Sequence, residues 1–403
     1  MRQGGAQLTR LPQRAELEAI WRAGVAACAP ARVVPPHLPE RPRGRTILIA
    51  LGKAAVPMAA AVERGWQGPL EGLAVTRHGE AGRLARIDVA TAGHPLPDRA
   101  SLVAAERLLR LADGAGADDL VLMLLSGGAS ALACLPGAGL TLEAKRRLTD
   151  ALLRSGADIG EVNCVRRHVS RFKGGRLALA AAPARLVTLA ISDVFRDRPE
   201  DIGSGPTVAD PTTLADARTI LAELRIEAPD DGWSETPKTV PGDYRIVARA
   251  ADALAAAAAE AERRGYRPRT FECDGEARTV AAEHARLARA MAPGEALITG
   301  GELTVTVSGP GQGGPNQEYA LAAALGLAGV RGVCGLAADT DGIDGTGDAA
   351  GAFFDGRTAG RGAEAALAAN DSGGWLDRRG ALFRPGPTGT NVNDLRILLA
   401  ARR

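Results

Sequence analysis

The 403-residue sequence predicts an α/β protein of two domains, and three observations carry that expectation. Short apolar runs alternate with amphipathic helical patterns, the order expected of βα units on an open, largely parallel sheet. Four of those runs end abruptly in islands of Gly, Ser, Thr and acidic residues, at 126–130, at 192–193 with 203–207, at 300–302 and at 339–342, and a fifth island lies at 386–391. A cluster of Pro229, Asp230, Asp231, Gly232, Pro237, Pro241 and Gly242 reads as a connector, which puts the boundary near Val240 and gives domains of residues 1–240 and 241–403.

In chain order, Leu17, Ile20, Trp21 and Val25 form the apolar face of an opening helix. A strand at 46–51 leads to a helix at 54–64, and a strand at 87–90 passes through Gly93-His94-Pro95-Leu96-Pro97 to a helix that Asp98 is placed to cap. The run at 120–125 is apolar on both faces, as a central parallel strand should be. Helices at 142–154 and 175–182 precede a strand at 186–191. Beyond the connector come a strand at 244–248, a helix at 250–264 whose alanine run is helix propensity, and further pairs ending in an apolar helix after Asn393.

Composition limits the function. A net charge of +2 and 3% aromatic residues supply neither the basic field nor the stacking surface of a nucleic-acid binder, so a small molecule is the expected partner. Cys28, Cys134, Cys164, Cys273 and Cys334 are scattered and odd in number, which suits a reducing compartment rather than a disulfide framework or a zinc site. The start of the chain carries Arg2, Arg10 and Arg14 without an apolar leader, and no run is long enough to span a bilayer, so a cytoplasmic protein with no membrane partner is expected.

Of the 49 basic residues only Lys53, Lys145, Lys173 and Lys238 are lysine. A compact ammonium on a flexible stem suits a phosphate oxygen, where the arginine fork needs a different cradle. Lys53, closing the first strand beside Gly52, is read as functional, whereas Lys145 and Lys238 are read as solvated surface positions.

Known catalytic patterns separate the remaining readings. There is no G-x-x-x-x-G-K-[ST] loop and no H-E-x-x-H, and Ser130 lacks the second glycine of a nucleophile elbow. His94 and His168 stand without neighbours at ligand spacing and read as structural hydrogen-bonders. The segment Gly309-Pro310-Gly311-Gln312-Gly313-Gly314 matches G-x-G-x-x-G between a strand at 303–307 and a helix, with Asp339 ending the next strand, but among 50 glycines that pattern is weak. Phosphoryl transfer fits the islands better, because it needs backbone amides around phosphates, carboxylates for Mg2+ and a positioned acceptor hydroxyl. Asp193 and Asp197, four apart beyond a strand, are spaced to reach one Mg2+ directly or through water.

Taken together these stretches resemble the type II glycerate kinases, the glycerate 2-kinase family with a MOFRL C-terminal domain, along nearly the whole chain. The matching motifs include Gly52-Lys53-Ala54, Ala92 to Asp98, Leu125 to Leu132, Asn163 to Ser170, Lys173 to Ala178, Ser192-Asp193-Val194, Ser204 to Thr207, Gly300-Gly301-Glu302, Thr340 to Gly345 and Gly386 to Asp394. The resemblance implies a Rossmann-like three-layer first domain, a smaller MOFRL-type α/β domain and an active site in the cleft that they face. It implies ATP-dependent phosphorylation of D-glycerate to 2-phosphoglycerate, with Mg2+. Lys53 and Asp193 carry over as catalytic, with Asp193 and Asp197 near the metal. The resemblance assigns Ser126, Gly127, Gly128, Ser130, Ser204, Gly205, Thr207, Glu302, Asn391 and Asn393 to the nucleotide, the islands 126–130 and 203–207 holding phosphates by their amides. Asn163, Arg166 and Lys173 are assigned to glycerate or phosphate, and a homo-oligomer is left open.

Two positions depart from the family pattern. Arg196 precedes Asp197 where relatives carry glycine, and Pro315 stands in Gly313-Gly314-Pro315-Asn316-Gln317-Glu318 where relatives carry an arginine proposed for the active site. Loss of that cation leaves a catalytically impaired ligand-binding relative as one alternative. Relatives labelled hydroxypyruvate reductase leave an NAD(P)H-dependent reductase as the other.

Overall fold

The run Leu120–Leu125 is wholly buried, and it anchors a parallel sheet from the middle, as its unbroken apolarity requires. The computed structural model describes residues 11–345 and 347–402; Arg2 and Arg10, on which the absence of a leader was argued, lie outside the described residues. Contacts divide the chain into one unit of Pro30–Ala248 and another formed by the opening helix with Arg249 onward.

In the first unit the strands are β1 (Thr46–Leu51), β2 (Leu70–Arg77), β3 (Asp88–Ala92), β4 (Leu120–Leu125), β5 (Arg185–Ile191) and β6 (Asp243–Ala248). They pair in the order β3-β2-β1-β4-β5-β6, every pair parallel. This is the doubly wound order, and it reverses direction between β1 and β4, the point where such sheets bind ligands beyond their carboxyl ends. Leu51 is level with Leu125, and Leu125 with Ala190, so Gly52, Ser126 and Ser192 leave the sheet at one edge. Asp98 caps the helix Arg99–Asp113 as anticipated, closing a capping box with Ser101.

The second unit contains β7 (Arg267–Glu272), β8 (Gly275–Glu276), β9 (Glu295–Gly301), β10 (Leu303–Thr304), β11 (Val333–Asp339), β12 (Gly351–Asp355), β13 (Leu382–Phe383) and β14 (Asp394–Ala400). Its main sheet runs β13-β12-β11-β14-β9-β7, with only β7 and β9 parallel, while β8 and β10 form a separate two-stranded pair. Leu17, Ile20 and Trp21 of the opening helix pack into a core with Leu254, Ala257 and Ile397.

Four expectations change. β6 joins the first sheet, so the strand placed beyond the boundary belongs to the unit before it; its Tyr244 and Ile246 pack on that unit's core. The opening helix packs with the second unit, because its apolar stripe meets the small face of the helix Ala250–Arg263. The apolar stretch after Asn393 is β14 rather than a helix: it is buried over its whole length between β9 and β11, and its two charged residues, Asp394 and Arg396, pair with each other at 3.3 Å. The strand expected at 303–307 stops at Thr304. Strand β2 and the helices Ile159–His168 and Leu214–Glu223 were not anticipated. No helix among the described residues is long and apolar enough to cross a membrane.

Candidate active site

Gly52 turns out of β1 with φ +131°, a conformation that favours glycine, and a Cβ there would lie 2.2 Å from Ser126 Oγ. The close approach lets two turns interlock. Lys53 N–H donates to Gly127 O at 2.8 Å, Ala54 N–H donates to Ser126 Oγ at 3.0 Å, and Ser126 N–H returns to Leu51 O at 3.0 Å. Lys53 is thereby held against the turn 126–128, with its Cγ 3.3 Å from where a Cβ on Gly128 would sit. Gly128 itself is left-handed, φ +81°, and opens the short helix Ala129–Leu132.

Beside Gly128 lies a pocket of about 350 Å³, walled on one side by His94 and the prolines that follow it and on the other by the helix Leu142–Arg154. Lys145, Arg166 and Lys173 line it. Lys145 is 3% exposed; it shares the buried helix face with Leu148 and Leu152, and its Nζ donates to Val169 O at 2.7 Å and Arg166 O at 3.3 Å. Burial pushes its ammonium down to about 8, opposed by Cys134 and assisted by Arg166 and Arg176. Lys173 is 1% exposed and donates to Ser130 O at 2.9 Å and Ala133 O at 3.3 Å; burial pushes it down to about 7, opposed by Cys134 and assisted by Lys145 and Arg166. Arg166 is also lowered by burial, and among the described residues no carboxylate pairs with its guanidinium. Asp150 at the rim is engaged by Arg154 at 2.9 Å. Arg166 and two crowded lysines, none paired with a carboxylate among the described residues, make a receptor for an anion.

The sequence assigned several other residues to ligands, and the structure gives their groups to the scaffold. Ser126 is fully buried with its hydroxyl accepting from Ala54. Asn163 is absent from the pocket wall: its Nδ2 donates to Asp201 Oδ1 at 3.0 Å, and its Oδ1 accepts from Ser204 Oγ at 3.1 Å. Ser204 Oγ also meets Ser130 Oγ at 2.7 Å, which ties the loop 202–205 to the pocket wall. Thr207 Oγ1 accepts from Thr188 Oγ1 of β5 at 2.9 Å. The expectation that the amides of 203–207 cradle phosphate fails for two of them, because Ser204 N–H is bound to Asp201 O and Gly205 N–H to Ile202 O. Arg167, flanked by Asp201 at 3.3 Å and Asp210 at 3.0 Å, is a buried brace under the same loop.

Asp193 and Asp197 are half-buried on the loop that leaves β5. Arg196 (φ 67°) and Asp197 (φ 52°) are both left-handed, so glycine before the second aspartate would relieve strain of about 1–2 kcal/mol that Arg196 carries. No three His, Cys, Asp or Glu side chains among the described residues could hold a metal ion together. His168 is structural, as read, bonded to Cys164 O and to Glu235; His94 lines the pocket.

In the second unit Gly301 and Asp339 are both level with Asp394, so the islands 300–302, 339–342 and 386–391 share one sheet edge although β14 runs antiparallel. Glu302 is exposed there, and Asn391 and Asn393 are buried. Thr340 Oγ1 donates to Asn393 O at 2.6 Å and accepts from Val392 N–H at 2.9 Å, locking two of the islands together. Pro315 occupies the first turn of the helix Pro315–Gly326, which needs no N–H at that point. Asp344 then accepts from Asn316 N–H at 3.0 Å and Gln317 N–H at 2.9 Å. The glycine segment 309–314 is a loop whose Gly311 N–H bonds Ala369 O, not a strand-to-helix turn, and the helix N-terminus behind it already holds a carboxylate. A pyrophosphate has no place there.

Lys145 is the pocket-lining residue that the sequence reading had placed on the solvated surface. Its spacing to Leu148 and Leu152 was the available signal, obscured by Arg146 and Arg147 beside it.

Two family descriptions match the chain: "Domain of unknown function (DUF4147)" over residues 16–232 and "MOFRL family" over residues 295–394. An Agrobacterium vitis protein provisionally named hydroxypyruvate reductase is 45% identical, the alignment covering 96% of this chain and 94% of that one. D-glycerate 2-kinase of Thermotoga maritima is 40% identical over 94% of this chain and 96% of its own. The crystal structure of a Thermotoga maritima glycerate kinase superposes with a TM-score of 0.87 at 38% identity, covering 97% of this chain and all of that one.

Proposed function

The chain belongs to the glycerate kinase family that joins a DUF4147 domain to a MOFRL domain, and on that premise we propose that it transfers the γ-phosphoryl group of ATP to D-glycerate, giving 2-phosphoglycerate. The observation that carries the reading is the pocket of Lys145, Arg166 and Lys173 opening beside the Lys53 turn at the sheet's point of reversal. A small hydroxy acid brings the carboxylate that these basic side chains lack among the described residues. Lys53 lies against Gly127 and Gly128, whose amides suit phosphate oxygens, and its ammonium neutralises charge on the transferring group. Arg166 and Lys145 hold the acid's carboxylate, and Lys173 stands beside its hydroxyl. Glu302, Asn391 and Asn393 remain candidate nucleotide contacts.

A family kinase implies Mg2+. The donors fit that ion: Asp193 and Asp197 offer hard carboxylate oxygens on one loop, and Mg2+ is commonly held by one or two carboxylates with waters and the nucleotide's phosphates. When bound it would offset phosphate charge. Asp193 and Asp197 orient that end of the site through the strained turn at Arg196.

The name hydroxypyruvate reductase on a relative suggests a second chemistry. The blocked helix N-terminus behind 309–314 disfavours it, because a dinucleotide needs those amides. Purified protein incubated with D-glycerate, ATP and Mg2+, and in parallel with hydroxypyruvate and NADH, separates the two. The kinase reading expects ADP and 2-phosphoglycerate, identified by phosphorus and carbon NMR; NADH consumption without ADP release would refute it.

A further inference from the structure

Lys173 has a fixed backbone and a nearly fixed nitrogen. Ser170 Oγ accepts the N–H groups of Phe172 and Lys173, each at 3.2 Å, and the Arg176 guanidinium grips Lys173 O at 3.0 Å. At the far end Nζ gives one N–H to Ser130 O and another to Ala133 O. A neutral amine has two N–H groups and a lone pair, and an ammonium has three N–H groups. With two N–H groups committed to carbonyls, the remaining valence of Nζ is the one that differs between the two states.

The charged and titratable groups around it are Cys134, Lys145 and Arg166, with His94, Arg146 and Asp150 on the same pocket wall. Asp150 is held by Arg154, and among the described residues no carboxylate pairs with Lys173 to keep it protonated. Near neutral pH both forms are therefore accessible, a property that arginine could not supply in a chain where it is the usual cation.

We propose that Lys173 is the catalytic base that accepts the proton of the substrate hydroxyl. This rests on the kinase reading above. The hydroxyl O–H bond breaks and its proton joins the Nζ lone pair; the oxygen forms a bond to the γ-phosphorus of ATP. The bond from that phosphorus to the bridging oxygen breaks, and its electron pair leaves on ADP. The resulting ammonium faces the new phosphate monoester and returns its proton to water as product departs. The acid gains two negative charges with the phosphoryl group, and the wall gains one positive charge with the proton, which offsets half of them.

The chain's four lysines make a direct test practical. Protein labelled with 13C-lysine shows four ε-carbon signals, and Lys173→Arg assigns the relevant one. The expected result is a Lys173 signal titrating near pH 7 and a wild-type kcat that rises with pH through the same value. Lys173→Arg, which keeps charge and donors, should lose the rising limb and lower kcat on the order of a hundredfold at pH 8, with the KM for glycerate changed far less. Exogenous methylamine should partly restore Lys173→Ala. If Lys173→Arg keeps kcat within fivefold, or if the Lys173 signal titrates above 10, the lysine acts as a charge alone and the proposal fails. Where the variants do not fold, the wild-type signal and rate profile decide it. A wild-type enzyme releasing no ADP with glycerate at any pH would instead overturn the kinase reading itself, whatever the lysine titration shows.

Discussion

Gly52→Ala probes the interlocked turns more sharply than removal of any charged side chain. The new Cβ would lie 2.2 Å from Ser126 Oγ, 2.5 Å from Ser126 O and 2.8 Å from its carbonyl carbon, whereas ordinary contact begins at 3.4 Å. Two of those atoms are backbone at the end of β4, so the Gly52 turn must retreat by about 1 Å, enough to cost roughly a hundredfold in rate where positioning carries catalysis. The retreat weakens the bonds Lys53 N–H to Gly127 O and Ala54 N–H to Ser126 Oγ, each contributing about 0.5–1.5 kcal/mol. Backbone strain at φ +131° adds about 1–3 kcal/mol, for a total of roughly 2–6 kcal/mol. Gly79→Ala is the control: Gly79 is also left-handed, φ +86°, but nothing lies within 4 Å of its Cβ position. Turnover followed by coupled ADP release, with melting by calorimetry, should show Gly52→Ala falling about a hundredfold in kcat and melting about 10 °C lower. Gly79→Ala should lose a few degrees and no activity. Equal kcat in the two variants would refute the positioning of Lys53 by this close approach.

Three further outcomes follow from other parts of the molecule. Arg166→Met, which removes a pocket guanidinium with no carboxylate partner among the described residues, should raise the KM for glycerate at least tenfold and leave that for ATP within about twofold, as initial-rate kinetics would show. Burial, ahead of other influences, holds the Asp344 carboxyl up at about 7, above its unfolded value near 3.8, so the stability it contributes is present at low pH and lost as pH rises through 7. The melting temperature of Asp344→Asn should accordingly fall less steeply than wild type between pH 5 and 7.5, and parallel curves would contradict this. Pro315→Arg should melt within about 3 °C of wild type, since the first helical turn accepts either residue, and should change kcat less than threefold. A tenfold gain would mean that the missing cation is a lesion and would favour the impaired-relative reading.

The parts of this protein that were legible beforehand are those where local sequence decides the outcome. Leu120–Leu125 is apolar at every position and could only be interior, and Asp98 followed by Ser101 announces a helix start. The islands were legible as strand ends because small and polar residues stop an apolar run wherever the chain must turn. What escaped notice depends on partners far along the chain. The apolar run after Asn393 reads equally as a helix until Asp394 and Arg396, two apart on one face of a strand, are seen to answer each other inside a sheet. Lys145 sits in a run of basic residues, and only packing of Leu148 and Leu152 turns it inward. The opening helix could not be assigned to the second unit from its own residues, because its stripe fits any small-faced partner. Ser204, Thr207 and Asn163 were assigned to ligands, whereas their side chains bond within the scaffold; a side chain that builds a turn and one that binds a phosphate are spelled alike.

Transfer of label from [γ-32P]ATP to D-glycerate, measured for the wild type and for Lys53→Met, tests the central claim most directly. The account expects labelled 2-phosphoglycerate from the wild type in amounts equal to ADP, and on the order of a thousandfold less from Lys53→Met. Label remaining in ATP while hydroxypyruvate is reduced at the expense of NADH, or equal transfer by the two proteins, would contradict it.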